Sequence, residues 1–160
     1  MTIKVGDSIP SMKLMTATAS GPKEISTDEI FNGKKVVMFG VPGAFTPTCS
    51  MRHLPGFLEN ADAIRAKGID QIVCLAVNDA FVLGAWAKEN GVEDKVTMLA
   101  DGSGTFTKAL GLELDLVARG LGVRCQRFAL IAEDGKVTHI GVEQPGGFEV
   151  SKVEAILDHL

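Results

Sequence analysis

Cysteine is scarce in this chain: three residues in 160, an odd number with no regular spacing. That excludes the disulfide framework of a small secreted scaffold and suits a reducing compartment, so a cytoplasmic location is expected. Long apolar runs are missing too. No stretch approaches the roughly 18 apolar residues needed to span a bilayer, and no membrane association is expected. The opening residues Met1-Thr2-Ile3-Lys4-Val5-Gly6-Asp7 lack the charged-then-apolar order of a signal peptide. Basic charge is not in excess either. A net charge of −4 with no Lys/Arg cluster gives no footing for nucleic acid. Repeats, low-complexity tracts and linkers are absent, so residues 1–160 read as one domain, large enough for a full core.

What is there is a set of short apolar runs separated by helical patterns. Turn residues at Ala19-Ser20-Gly21-Pro22 suggest a hairpin before the core. Strands are expected at Lys35–Gly40, Gln71–Val77 and Lys95–Ala100, near-continuous apolar runs of the kind buried on both faces. Leu54, Phe57, Leu58, Ala61 and Ile64 recur at helical spacing up to a stop at Gly68. Pro55 should kink that helix by removing the hydrogen bond to the Met51 carbonyl. Asn78-Asp79 caps a second helix bearing Phe81, Val82, Ala85 and Trp86 and ending at Gly91. After a short helix, Arg127–Glu133 and Lys136–Glu143 are strands joined by Asp134-Gly135, a two-residue hairpin signal. Ser151 and Glu154 form a capping box for a last helix with Val153, Ile156, Leu157 and Leu160 on one face. This order predicts an α/β protein: a central mixed sheet flanked by helices, laid out as a thioredoxin-like fold with N-terminal additions.

Cys49 lies where the first of these strands hands over to a helix, in Val41-Pro42-Gly43-Ala44-Phe45-Thr46-Pro47-Thr48-Cys49-Ser50. Thr46 suits the N-cap and Pro47 the first helical position. Cys49 then stands in the first turn, where free N–H groups and about half a positive charge favour thiolate. Helix-end effects reach about 2 kcal/mol, or roughly 1.5 pKa units from a start near 8.5. Full ionisation gains only about one order of magnitude near neutral pH, so fast chemistry needs fixed groups that hold the electrophile and stabilise the leaving charge. A buried structural cysteine is the bland alternative.

Pro42-x-x-x-Thr46-x-x-Cys49 resembles the peroxidatic motif of the peroxiredoxins, and Val41 to Phe57, with His53-Leu54-Pro55-Gly56-Phe57, resembles their type II group. Ala76-Val77-Asn78-Asp79-Ala80-Phe81, Ala100-Asp101-Gly102 and Gly122-Val123-Arg124-Cys125-Gln126-Arg127-Phe128 extend the likeness over essentially the whole chain. The resemblance implies a thioredoxin-fold peroxidase acting on hydrogen peroxide and alkyl hydroperoxides, with no metal, haem or flavin. Cys49 would attack the peroxide and become a sulfenic acid, Thr46 would orient the peroxide, and Pro42 would wall off the thiolate. Arg127 would lie beside the sulfur, favouring thiolate and holding the peroxide oxygens; spacing alone cannot choose it over Arg124. Thr46 cannot devote one oxygen fully to both capping and substrate. A homodimer is implied, with Phe45 and Phe81 as candidate contacts. His53, one turn after Cys49, reads as structural, since two ligands are too few for zinc.

A sulfenic acid is recycled by condensing with a thiol. Glu143 to Ser151, where some type II members carry a resolving cysteine, contains none. Cys74 falls where other members have a second cysteine, but Ile72-Val73-Cys74-Leu75-Ala76 reads as a buried strand and Cys74 as core. Cys125, beside Arg124, is a third possibility. External thiols are therefore the expected reductants, glutathione with glutaredoxin first and thioredoxin second. Two alternatives stand beside a peroxidase. One is a redox-sensing interaction protein using the same Cys49 oxidation. The other is a thiol–disulfide oxidoreductase, which the lack of any Cys-x-x-Cys weakens.

Overall fold

Apolar side chains in the strands alternate between two core layers. The computed structural model describes Met1–Leu160 and contains nine strands: β1 (Lys13–Thr18), β2 (Gly21–Ser26), β3 (Lys35–Val41), β4 (Gln71–Ala76), β5 (Thr97–Ala100), β6 (Glu113–Leu116), β7 (Gly122–Cys125), β8 (Phe128–Glu133) and β9 (Lys136–Val142). Val37, Phe39 and Val41 of β3 belong to one layer, Val36 and Met38 to the other. A strand buried on both faces shows no polar alternation. Accordingly β3 lies inside a seven-stranded mixed sheet of order β2-β1-β5-β4-β3-β8-β9. It runs parallel to β4, and β4 parallel to β5, while β8 and β9 add antiparallel strands on the other side.

Six α-helices cover the sheet: α1 (Thr27–Phe31), α2 (Leu54–Glu59), α3 (Ala61–Ala66), α4 (Ala80–Glu89), α5 (Thr105–Leu110) and α6 (Val153–Leu157). Leu54 and Phe57 of α2, Ile64 of α3, Leu83 and Trp86 of α4 and Ile156 of α6 fill one layer. Ile30 and Phe31 of α1 and Phe106 and Leu110 of α5 fill the other. The chain thus has the thioredoxin-like arrangement that its element order implies.

Several local expectations change. The early hairpin is no appendage, because β1 pairs with β5 and so extends the main sheet. The pair β6/β7 and helix α1, too short to show a period, are additional. At the Asp134-Gly135 turn both residues adopt left-handed backbone, φ 50° and 76°, as a tight hairpin of this twist requires. The helix expected to run to Gly68 divides at Asn60, whose side chain turns back to the Gly56 carbonyl at 2.8 Å. The capping box at the last helix does not form. Lys152 is the cap residue of α6, without a side-chain bond, and the Ser151 hydroxyl donates to Glu143 instead. A carboxylate is the stronger acceptor, and it also takes the Ser151 N–H.

Candidate active site

The antiparallel register of β3 and β8 sets Gly40 opposite Phe128. Arg127, one residue before Phe128, therefore arrives beside the end of β3, where the chain departs toward Cys49. Pairing, not sequence spacing, brings together residues 78 positions apart.

Beyond β3 the chain reverses sharply. Phe45 adopts φ 65°, a left-handed conformation rare for a bulky residue. The reversal lets the Thr46 N–H and hydroxyl both donate to the Gly43 carbonyl, at 3.4 and 2.7 Å. Helix begins at Pro47, so Thr46 holds the N-cap position, yet its hydroxyl caps nothing. That corrects the expected side-chain cap and removes the conflict over its oxygen. The hydroxyl proton is committed to Gly43, and lone pairs stay available as acceptors. No backbone carbonyl takes the N–H of Thr48 or Cys49, which leaves both donors free.

Cys49–His53 is a π-helical segment in which the Leu54 N–H reaches back to the Cys49 carbonyl. Single π turns of this kind are frequent at functional sites. Pro55 follows in the first turn of α2, where a missing N–H costs little, so the expected kink takes the form of this widened turn. Cys49 and His53 both end up facing inward, at 0% and 1% exposure.

Arg127 divides its guanidinium between them. Nη2 donates to Cys49 Sγ at 3.1 Å, and Nη1 lies 2.9 Å from His53 Nδ1. His53 Nε2 lies 2.9 Å from the Ser151 carbonyl. A carbonyl only accepts and a guanidinium only donates, so the imidazole is neutral with its proton on Nε2. Burial, reinforced by the Arg127 charge, pushes His53 down to about 3. Its ring packs among Phe39, Phe57 and Phe148. His53 is thus not a bystander: it holds one arm of the arginine whose other arm meets the sulfur.

Arg124 serves the loop rather than the thiol. Its Nε donates to the Leu121 carbonyl at 2.8 Å and its Nη1 to the Pro42 carbonyl at 3.3 Å. Half-buried Pro42 is the anchor for that brace. Asn78 Oδ1 accepts the Ala44 N–H at 2.9 Å, tying the same loop to the end of β4. On the helical side, Trp86 Nε1 donates to Ser50 Oγ at 2.9 Å. The sequence offered a faint signal for Asn78, since two cap-forming residues stood where one suffices. It offered none for Ser50–Trp86 or for Glu143–Ser151.

The other thiols are free and buried. Cys74 shares the Cys49 core layer, and burial pushes its thiol well above the usual range, with Cys49 adding to the effect. Cys125 belongs to the opposite layer and is also pushed up, chiefly by burial.

Residues 4–157 match the Redoxin family. The chain is 50% identical to peroxiredoxin-2C of Oryza sativa subsp. japonica over 159 residues, 99% of this chain and 98% of that relative. The chain belongs to the type II peroxiredoxins. Peroxiredoxin-2B of Arabidopsis thaliana is 49% identical over the same shares. A crystal structure of reduced Prx3 from Vibrio vulnificus in complex with hydrogen peroxide superposes with a TM-score of 0.93 at 49% identity, covering 99% of both chains. This peroxiredoxin is accordingly a cysteine-based, thiol-dependent peroxidase. No helix in it is long and apolar enough to cross a membrane.

Proposed function

We propose that Cys49, Thr46, Arg127 and Pro42 carry out peroxide reduction, and that external glutathione with glutaredoxin recycles the enzyme. The Cys49 thiolate attacks the terminal peroxide oxygen; an S–O bond forms as the O–O bond breaks. Sulfur loses two electrons to become a sulfenic acid, and the departing alkoxide or hydroxide leaves as alcohol or water after gaining a proton. Arg127, donating to Sγ at 3.1 Å, is the observation that carries this reading. Its fixed fork stabilises charge on the breaking bond. Thr46 Oγ accepts from the peroxide O–H, and the free N–H groups of Thr48 and Cys49 add donors. Pro42, braced by Arg124, keeps the wall of the site in place.

For recycling, glutathione condenses with the sulfenic acid to give a mixed disulfide and water, and a second thiol displaces it to return Cys49. Two features support an external thiol. Cys74 and Cys125 are buried and disfavoured as thiolates. A groove of about 280 Å³ flanks the site, with Arg52 and Lys152 for carboxylates and Glu59 and Glu154 for an ammonium. Thioredoxin is the second candidate. Exposed Phe45 and Phe81 support a homodimer through the active-site face, and Phe81→Arg should then lower the mass measured by sedimentation. Three unpaired, buried cysteines and one sheet gathering strands from Lys13 to Val142 support a cytoplasmic chain folded as one domain over 1–160.

Mass spectrometry after one equivalent of peroxide with excess glutathione tests the scheme. A glutathione adduct on Cys49 is expected, absent in Cys49→Ser and retained in Cys74→Ser and Cys125→Ser. In Arg127→Gln its formation should slow by much more than about tenfold, even at a pH where the thiol is ionised. A predominant Cys49–Cys74 disulfide would instead make Cys74 a resolving cysteine and thioredoxin the favoured reductant.

A further inference from the structure

Glu143 follows β9 and makes no contact with Cys49, yet it stands at the far end of a continuous chain of hydrogen bonds leading there. Its N–H donates to the Arg127 carbonyl at 2.9 Å. Its Oε2 alone accepts three bonds: from the Glu149 N–H at 2.8 Å, the Ser151 N–H at 2.8 Å and the Ser151 hydroxyl at 2.6 Å. Burial works against the carboxylate, but these donors and the Val150 N–H outweigh it and hold Glu143 below its usual range. A half-buried carboxylate so saturated is a clamp on the segment 149–151.

We propose that Glu143 is a positioning residue of the peroxidase: by clamping Ser151 it fixes which nitrogen of His53 carries the proton, and through His53 it aims Arg127 at Cys49. With its N–H and Oγ both held, Ser151 presents its carbonyl to His53 Nε2 at 2.9 Å. The proton is thereby kept on Nε2, and the Nδ1 lone pair faces Arg127 Nη1 at 2.9 Å. In the other tautomer an Nδ1–H would oppose a guanidinium N–H, donor against donor, and that arm would swing free. Nη2, on the same rigid plane, would then leave Sγ. Phe148, one residue before the clamped span, sits edge-on to His53 with ring centroids 5.3 Å apart.

The test is the second-order rate of Cys49 oxidation by hydrogen peroxide, measured with the ¹⁵N chemical shifts of His53. Glu143→Ala should slow oxidation about ten- to hundredfold, the usual cost of small misplacement of a reacting group. The His53 shifts should move from a single Nε2–H tautomer to a tautomer mixture. Glu143→Gln keeps an acceptor oxygen and should stay within about threefold of the parent rate, since geometry is what the clamp supplies. Ser151→Ala retains one of the two Ser151 bonds and should fall between, which keeps the test open if Glu143→Ala fails to fold. In a His53→Leu background the Glu143 substitutions should slow oxidation no further, because the link they act through is gone. Unchanged His53 shifts in the slowed variants, or an equal loss of rate in the His53→Leu background, would overturn the proposal.

Discussion

His53 is a neutral imidazole packed against a cationic guanidinium, and the pH dependence of folding should record it. Burial first, and the Arg127 charge second, hold the folded value at about 3 against an ordinary 6.5. The unfolded imidazole therefore takes up its proton first as pH falls. Stability is fully present above about 6.5 and declines toward pH 3, at up to about 1.4 kcal/mol per pH unit from this one group. The lowered carboxyls of Asp7 and Glu143 act in the same direction, but only where carboxylates begin to protonate. Urea unfolding between about pH 6.5 and 5 avoids the carboxylates, and His139, lowered by burial and by His159, adds to His53 there. The slope of stability against pH over that window should flatten in His53→Leu, and an identical slope would mean that the imidazole takes up its proton alike in the folded and unfolded chains. The same residue marks a limit of sequence reading. Its spacing from Cys49 was visible, but its partner Arg127 lies 74 positions away and meets it through strand pairing.

At the scale of elements, adjacent Asn78 and Asp79 do separate work. Asp79 Oδ1 accepts the Val82 N–H at 2.8 Å and caps α4. Asn78 Oδ1 accepts the Ala44 N–H and so braces the loop that leads to Cys49. Asp79→Ala should cost about 1 kcal/mol in urea unfolding with little change in the rate of Cys49 oxidation. Asn78→Ala should slow that oxidation out of proportion to its effect on stability, and stopped-flow peroxide kinetics beside urea titrations will separate the two. The long strands, the Asp134-Gly135 hairpin and the α4 cap were legible because each rests on local chemistry: apolar runs, paired left-handed turn residues, a short acceptor side chain. The π segment at Cys49–His53, the idle caps at Thr46 and Ser151 and the break at Asn60 were not. At Thr46, Ser151 and Asn60 a competing partner, respectively the Gly43 carbonyl, the Glu143 carboxylate and the Gly56 carbonyl, decides the outcome. The peroxidatic motif itself was readable because its residues fall within one short stretch, Pro42 to Cys49; Arg127 needed the family pattern.

For the molecule as a whole, the sheet separates two kinds of thiol environment. Cys49 and Cys74 lie in one core layer, Cys125 in the other. Only Cys49 stands at a helix entrance with an arginine on its sulfur, so one oxidation should be read out on one side of the sheet. That side also holds Trp86, the single tryptophan of the chain, buried and bonded to Ser50 next to Cys49. The protein thus carries its own optical reporter. Any change in the Cys49–His53 segment on oxidation must break or keep one indole hydrogen bond, and indole emission responds to both polarity and bonding. Adding peroxide to the reduced protein should shift Trp86 fluorescence in a single phase whose rate grows with peroxide concentration, and adding thiol should return it. Cys49→Ser should be silent. Ser50→Ala should react with peroxide yet show a smaller signal, so the rate of the dark step and the rate of the light can be compared without a label.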